Sequence, residues 1–262
     1  MIDFFLQFSL PAGIILFIVS TIVAGDVIYL LTYRFFSQKY LEKSHEKTGR
    51  LLFKSTAGLL SLLLSFTFAS QRVDHYKVKN SLEVQASQMV SIHTDLGQLS
   101  DSSALLIQKK LRTYVKEMLA EGWQPLADNP AQSRTFVLFN EIYRDILRLK
   151  TENSMEENLK NGIINNFKLA AESIQIRIYQ SKPEAPVLFY IAIVGFLIIM
   201  ILYSVYKPDK ISILFISLYN AFIGIVMFFI ILLNNPLAGP LRVGFEPFQI
   251  LEKAINAKFQ NS

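Results

Sequence analysis

Four long apolar stretches constrain the fold of this chain more than any other feature. They cover residues 10–33, 51–70, 186–206 and 211–233. The first contains one charged side chain, Asp26, and as a helix it would extend about 36 Å, enough to cross a hydrocarbon core of roughly 30 Å. Hydrophobic residues make up 52% of the sequence and charged residues 18%, which is typical of membrane proteins and not of soluble enzymes. The sequence therefore predicts four transmembrane helices.

The segment between the second and third apolar stretches is predicted to be helical. Apolar residues recur there at helical spacing, as at Ile107, Leu111 and Met118. Ser154 and Glu157 match a capping box, which predicts a helix start. We therefore expect an all-α fold in which a helical extramembrane insert separates two pairs of transmembrane helices.

This pattern divides the chain into four parts. Residues 1–71 are expected to form the first transmembrane pair, 72–185 the insert, 186–235 the second transmembrane hairpin, and 236–262 a C-terminal segment. In that last part Phe248, Leu251, Ile255 and Phe259 recur at helical spacing, which favours a helix that lies at the membrane interface or docks on the bundle.

The second transmembrane helix has no evident end at the membrane surface. Neither Gly nor Pro occurs between Gly58 and Gly97, and these are the residues that most often interrupt a helix. The sequence predicts one uninterrupted helix that continues from the second span into the insert.

A narrow stripe of small, hydroxyl and charged residues runs along this helix. At about 100° per residue its members share one face; they are Lys54, Gly58, Ser61, Ser65, Phe68 and Arg72. Around a central axis, such a face could line a pore in which hydroxyls replace ion hydration and a ring of Phe68 side chains forms a constriction. The alternative is close helix packing through the small residues, and such stripes are common at the interfaces of membrane helices.

Asp26 is costly inside an apolar span, so a partner is expected. Lys54 lies just inside the facing end of the second span, and we predict that the two side chains form an intramembrane pair. The alternative is an ion or proton site that Asp26 forms with Tyr29 and Tyr33.

Catalytic and ligand-binding motifs are missing from the sequence. It has no cysteine, and its three histidines show no zinc-site spacing. Phosphate-binding and dinucleotide-binding glycine motifs are lacking, and basic residues are interspersed with acidic ones. We therefore predict no enzyme activity, no catalytic residues, no cofactor, no metal site and no nucleic-acid partner.

Three ordered motifs resemble the bestrophin-like family of bacterial and plant membrane proteins. They are residues 64–69 with Arg72 and Asp74; residues 111–115 followed by 122–126; and Asn235-Pro236 with Gly239 and residues 245–248. Gln85 stands where the family often has a glutamate. The resemblance implies an architecture like that of bestrophin channels, with two spans, a helical insert, two more spans, and subunits around an axis lined by the second helix.

These observations predict a homo-oligomeric ion channel of four or five subunits in a lipid bilayer, in a bacterial inner membrane. The terminal cations of the stripe suggest that the permeant ion is an anion. The alternative is a membrane-anchored helical sensor or scaffold that does not conduct. Orientation stays open. Four spans put the N-terminus and the insert on the same side of the membrane, and the positive charge after the first span favours the outside for both. The resemblance instead places the insert in the cytoplasm.

Overall fold

The computed structural model describes residues 8–37, 43–122, 133–180 and 187–260, and none of these residues forms a strand. The described part of the chain contains eight α-helices: α1 (Leu10–Thr32), α2 (Lys43–Leu96), α3 (Ser102–Glu121), α4 (Arg134–Arg148), α5 (Ser154–Gln180), α6 (Val187–Tyr203), α7 (Lys210–Leu233) and α8 (Glu246–Gln260). A π-helical turn, Tyr33–Ser37, extends α1. The all-α prediction is confirmed, and α2 continues well past residue 70 as expected.

Three segments of the described chain are long and apolar enough to cross a membrane: Leu10–Phe35, Lys47–Leu96 and Lys210–Leu233. The third predicted span corresponds to α6, an apolar helix of 17 residues. At 1.5 Å per residue α6 extends about 25 Å, somewhat less than a typical hydrocarbon core. Its predicted first residue, Pro186, lies outside the described residues.

The chain divides into two compact units. The first, here the membrane unit, comprises Met1–Asp74, Pro183–Asn235 and Gly239–Leu241; the second, the helical unit, comprises His75–Lys182, Pro236–Ala238 and Arg242–Ser262. Both units contain residues of α2.

Close contact between α1 and α7 organises the membrane unit. A Cβ atom on Gly25 would lie 2.2 Å from Asn220 Nδ2, and one on Gly224 would lie 2.2 Å from Thr21 Oγ1. Both positions therefore require glycine, since small residues let membrane helices approach closely. The aromatic rings of Tyr29 and Tyr203 meet edge to face in the same core, at a centroid separation of 5.1 Å.

The predicted apolar stripes form the core of the helical unit. Its buried side chains include Leu82, Met89, Ile92, Leu96, Ile107, Leu111, Tyr114, Val115, Met118, Phe139, Ile146, Ile163, Phe167, Ala170 and Ile174. Each buried Leu, Ile or Phe side chain contributes about 1.5–3 kcal/mol through removal of apolar surface from water.

Helix α8 belongs to this same core. Phe248, Leu251 and Ile255 are buried, and the Phe248 ring contacts that of Tyr114 at 6.4 Å between centroids. Of the two expectations for the C-terminal segment, the structure thus supports docking on the bundle. The side chain of Phe259 lies outside the described residues.

Capping residues mark the starts of α3 and α5, and one of the predicted caps is wrong. The Asp101 carboxylate accepts a hydrogen bond from Ser103 N at 2.8 Å and caps α3. At α5 the predicted Ser154–Glu157 capping box is wrong by one residue, because Asn153 Oδ1 accepts from Glu156 N at 2.9 Å. Ser154 is already the first helical residue.

Candidate functional site

The predicted stripe lies on the open surface of α2. Lys54, Gly58, Ser61, Ser65 and Arg72 are all exposed within the single chain, and no atom would lie within 4 Å of a Cβ on Gly58. Phe68 differs, because it is half-buried and packs against the core of the membrane unit. Apart from Phe68, the stripe is therefore not buried by packing within its own subunit.

Two different surfaces flank the stripe on the helix circumference. On one side lie buried residues that pack within the subunit: Leu60, Leu64, Thr67 and Gln71. On the other side lie exposed apolar residues: Leu59, Leu62 and Phe66. At about 100° per residue the stripe falls between these two faces. Between residues 54 and 72, α2 thus presents a packed face, a polar strip and an exposed apolar face.

The stripe hydroxyls bond to the helix itself. Ser61 Oγ donates to the Ala57 carbonyl at 2.9 Å, and Ser65 Oγ donates to the Ser61 carbonyl at 2.8 Å. Their protons are therefore occupied, and the hydroxyl oxygens present lone pairs to the open side. Positive charge on this face comes from Lys54 and Arg72 at its ends.

Within the single described chain Asp26 and Lys54 form no ion pair, so the predicted pair is not confirmed. The Asp26 carboxylate instead accepts from Ser217 Oγ at 2.7 Å and from Asn220 Nδ2 at 3.2 Å. The physical reason is orientation: this side of α1 faces α7, whereas Lys54 is exposed on α2. Sequence analysis missed Ser217 and Asn220, although polar residues three apart in an apolar span were a visible signal.

A buried polar chain in the helical unit also escaped the sequence analysis. Arg177 Nη2 donates to Gln85 Oε1, and Gln85 Nε2 donates to Tyr114 Oη at 2.7 Å. All three residues are almost completely buried. Burial lowers the pKa of the Arg177 guanidinium to about 10 and raises the pKa of the Tyr114 phenol to about 12, so both groups keep their protons near neutral pH.

The helical unit carries a groove of about 670 Å³. Its apolar floor includes Leu82, Val243 and Leu251, and its charged lining includes His75, Lys79, Glu83, Arg242 and Glu246. Within the described residues, no group of three or more histidine or acidic side chains could hold a metal ion. The mixed apolar and charged lining of the groove suits an amphipathic ligand.

Comparison with known proteins places these features in context. Residues 19–248 match the family model described as a bestrophin-like domain. The fold is similar to the crystal structure of a bacterial bestrophin homolog from Klebsiella pneumoniae that carries a point mutation, with a TM-score of 0.66 and 10% sequence identity. The alignment covers 93% of this chain and 99% of that one. A search among curated proteins finds no match.

Proposed function

Because the chain belongs to the bestrophin-like family, we propose that it forms a homo-oligomeric ion channel of four or five subunits, with α2 lining the pore. We place it in a bacterial inner membrane, where copies surround a common axis. The stripe from Lys54 to Arg72 would then face the permeant ion.

The arrangement of the three faces of α2 is the observation that carries this proposal. A helix that lines a central pore contacts its own subunit on one side, the ion pathway in the middle and the next subunit on the other side. In α2 the buried face, the exposed polar stripe and the exposed apolar face follow in this order. Leu59, Leu62 and Phe66 would be covered by the neighbouring copy.

Each part of the stripe has a distinct role in this channel. Phe68 is held from one side by the core of its own subunit, so a ring of these side chains would form the narrow apolar constriction. Ser61 and Ser65 would contact the ion between the constriction and Lys54. The cations at the two ends favour anions by electrostatic attraction.

Ion flux from proteoliposomes tests conduction and the role of Phe68. The purified protein should conduct, and Phe68→Ala should increase the flux severalfold because it widens the constriction. Phe222→Ala is the matched control, since Phe222 is an exposed aromatic residue on α7, and it should leave the flux unchanged. No flux under any ion gradient would contradict the channel.

Reversal potentials test the anion preference separately. Arg72→Glu should weaken or reverse the preference, because it exchanges a ring of positive charges for negative ones. Arg34→Glu, at an exposed position beyond α1, should not. Conduction with an unchanged preference in Arg72→Glu would retain the channel and exclude this origin of selectivity.

The groove of the helical unit favours a second candidate function, a membrane-anchored sensor or scaffold. Its mixed apolar and charged lining suits a small amphipathic ligand or a peptide segment. The oligomeric state separates the two functions: a ring of four or more copies supports the channel, whereas a monomer or dimer supports the sensor.

A further inference from the structure

An acidic side chain in the membrane unit has polar partners but no cationic one among the residues that the structure describes. Asp26 lies within α1, among apolar residues, and is half-buried. Within the described part of the chain its contacts are hydrogen bonds from Ser217 and Asn220 on α7. A carboxylate in the hydrocarbon region is costly unless positive charge compensates it.

The hydroxyl of Ser217 has fewer protons than its contacts require. Ser217 Oγ lies 2.7 Å from Asp26 Oδ2 and 2.8 Å from the Ile213 carbonyl oxygen. A serine hydroxyl carries one proton, so it donates fully to one of these two oxygens. Ser217 Oγ therefore lies at hydrogen-bond distance from the second of these oxygens with no hydrogen between the two atoms.

The amide of Asn220 shows a similar deficit on the opposite side of the carboxylate. Asn220 is 0% exposed, its Nδ2 donates to Asp26 Oδ1 at 3.2 Å, and its Oδ1 has no hydrogen-bond partner. Gly25 provides the space for this amide, because a Cβ there would lie 2.2 Å from Asn220 Nδ2. The oxygen and nitrogen of an amide exchange places by a half-turn, which directs the unpartnered oxygen at Asp26.

We propose that Asp26, Ser217 and Asn220 together bind one small monovalent cation, a proton or a sodium ion, between α1 and α7. One positive charge between Asp26 and Ser217 compensates the carboxylate and resolves the deficit at Ser217. A proton on Asp26 Oδ2 donates to Ser217 Oγ, which then donates to the Ile213 carbonyl. A sodium ion instead accepts oxygen ligands from the carboxylate, the hydroxyl and the turned amide, the ligand type that hard cations prefer.

The surrounding charged and titratable groups are compatible with a bound cation. Tyr29 on α1 interacts electrostatically with Asp26, and also with Tyr33, with Tyr203 on α6 and with Asp209 before α7. The hydrogen bond from Ser212 N lowers the pKa of Asp209, so this second carboxylate stays ionised. Lys54 forms no ion pair with Asp26, so the pair that would make a bound cation unnecessary is missing.

Two measurements on the purified protein in lipid nanodiscs distinguish the ions. For sodium, replacing choline chloride with sodium chloride at constant ionic strength should raise the thermal unfolding midpoint, because a ligand stabilises the state that binds it. For a proton, the infrared spectrum should contain the carbonyl band of an un-ionised carboxylic acid. In either case Asp26→Asn, which is nearly isosteric, should abolish the signal.

Matched variants identify the ligands. Ser217→Ala should weaken sodium affinity about tenfold or shift the carboxylic acid band, since it removes a hydrogen bond to a charged or acidic group. Ser20→Ala is its control, because Ser20 Oγ also bonds to a carbonyl within its own helix. Asp209→Asn is the control for loss of a carboxylate and should preserve both signals. The proposal is overturned if wild type shows neither signal, or if Asp26→Asn retains the one observed.

Discussion

Gln85 links the buried guanidinium of Arg177 to the buried phenol of Tyr114, so removal of the Tyr114 hydroxyl should lower the stability of the protein measurably. In Tyr114→Phe, Gln85 Nε2 loses the acceptor that lies 2.7 Å away. A buried donor left without a partner costs about 1–3 kcal/mol, and we expect the free energy of unfolding to fall by that amount in chemical denaturation. Tyr143→Phe is the control, because the Tyr143 ring stacks on Phe167 and its hydroxyl forms no hydrogen bond within the described part of the chain. Equal losses in both variants would contradict the role of Gln85.

Glu156 should make the helical unit sensitive to acid. Its carboxylate accepts from Glu152 N at 2.8 Å, Ser100 Oγ at 2.7 Å and Ser100 N at 3.2 Å, and these bonds lower its pKa in the folded state. A carboxyl group whose pKa is lower in the folded state stabilises the protein at pH values above its unfolded-state pKa of about 4. This stabilisation is lost as the pH falls through the folded-state pKa.

Thermal unfolding followed from neutral to acidic pH tests this effect. The unfolding midpoint should fall steeply on acidification below about pH 4, and Glu156→Gln should make that fall shallower. Glu157→Gln, at an exposed neighbour, should keep the wild-type profile. A wild-type slope in Glu156→Gln would show that other carboxylates, such as Asp101, dominate.

At single residues, sequence reasoning located polar groups better than it identified their partners. The position of Asp26 in an apolar span correctly implied that it needs partners. Its partner set depends on which side of α1 faces α7, and that is decided by the close approach at Gly25 and Gly224. A single sequence does not show that contact, so Lys54 was predicted as the partner only from its expected depth in the membrane.

At the scale of elements, α8 offers a test of packing. Leu251 is fully buried, whereas the adjacent Ile250 is 67% exposed. Leu251→Ala should therefore destabilise the helical unit by about 2–5 kcal/mol through loss of burial and a residual cavity. Ile250→Ala should change the free energy of unfolding by less than about 0.5 kcal/mol. Chemical denaturation of both variants checks this difference, and similar values would contradict the docking of α8.

Element boundaries followed the strength of the local signal. The missing Gly and Pro after Gly58 predicted a continuous α2, because nothing in that stretch disfavours the helix. At α5, Asn153 and Ser154 are both good capping residues, and their order in the sequence does not decide between them. Residues 123–126 of the second family-like motif lie outside the described residues.

For the whole molecule, assembly around α2 is the central expectation. The chain has no cysteine, so a single introduced thiol reports on its own position. Ser65→Cys should be joined between subunits by a short bifunctional thiol reagent, because copies of the stripe face one axis in the proposed ring. Phe222→Cys, on α7, should react without forming these dimers. Gel electrophoresis checks the outcome, and cross-linking at both positions or at neither would contradict the proposed axis.

Sequence analysis predicted the helical class and the buried positions of the helical unit because both depend on local periodicity. It could not decide whether the stripe on α2 packs or faces outward, since that depends on which face the other helices cover. Leu60 and Leu59 are adjacent and chemically identical, yet one is buried and the other exposed. Only the tertiary arrangement distinguishes them.

The uninterrupted hydrogen-bond ladder of α2 has a mechanical consequence. Helices kink most readily at proline, at glycine or where the ladder is broken, and the stretch between Gly58 and Gly97 contains neither of these residues. This stretch therefore lacks the residues at which a helix most readily bends. Leu62 lies about 60° around the helix from Ser65, so in the proposed ring a rotation of that size would replace Ser65 at the axis with Leu62 and make the proposed passage apolar.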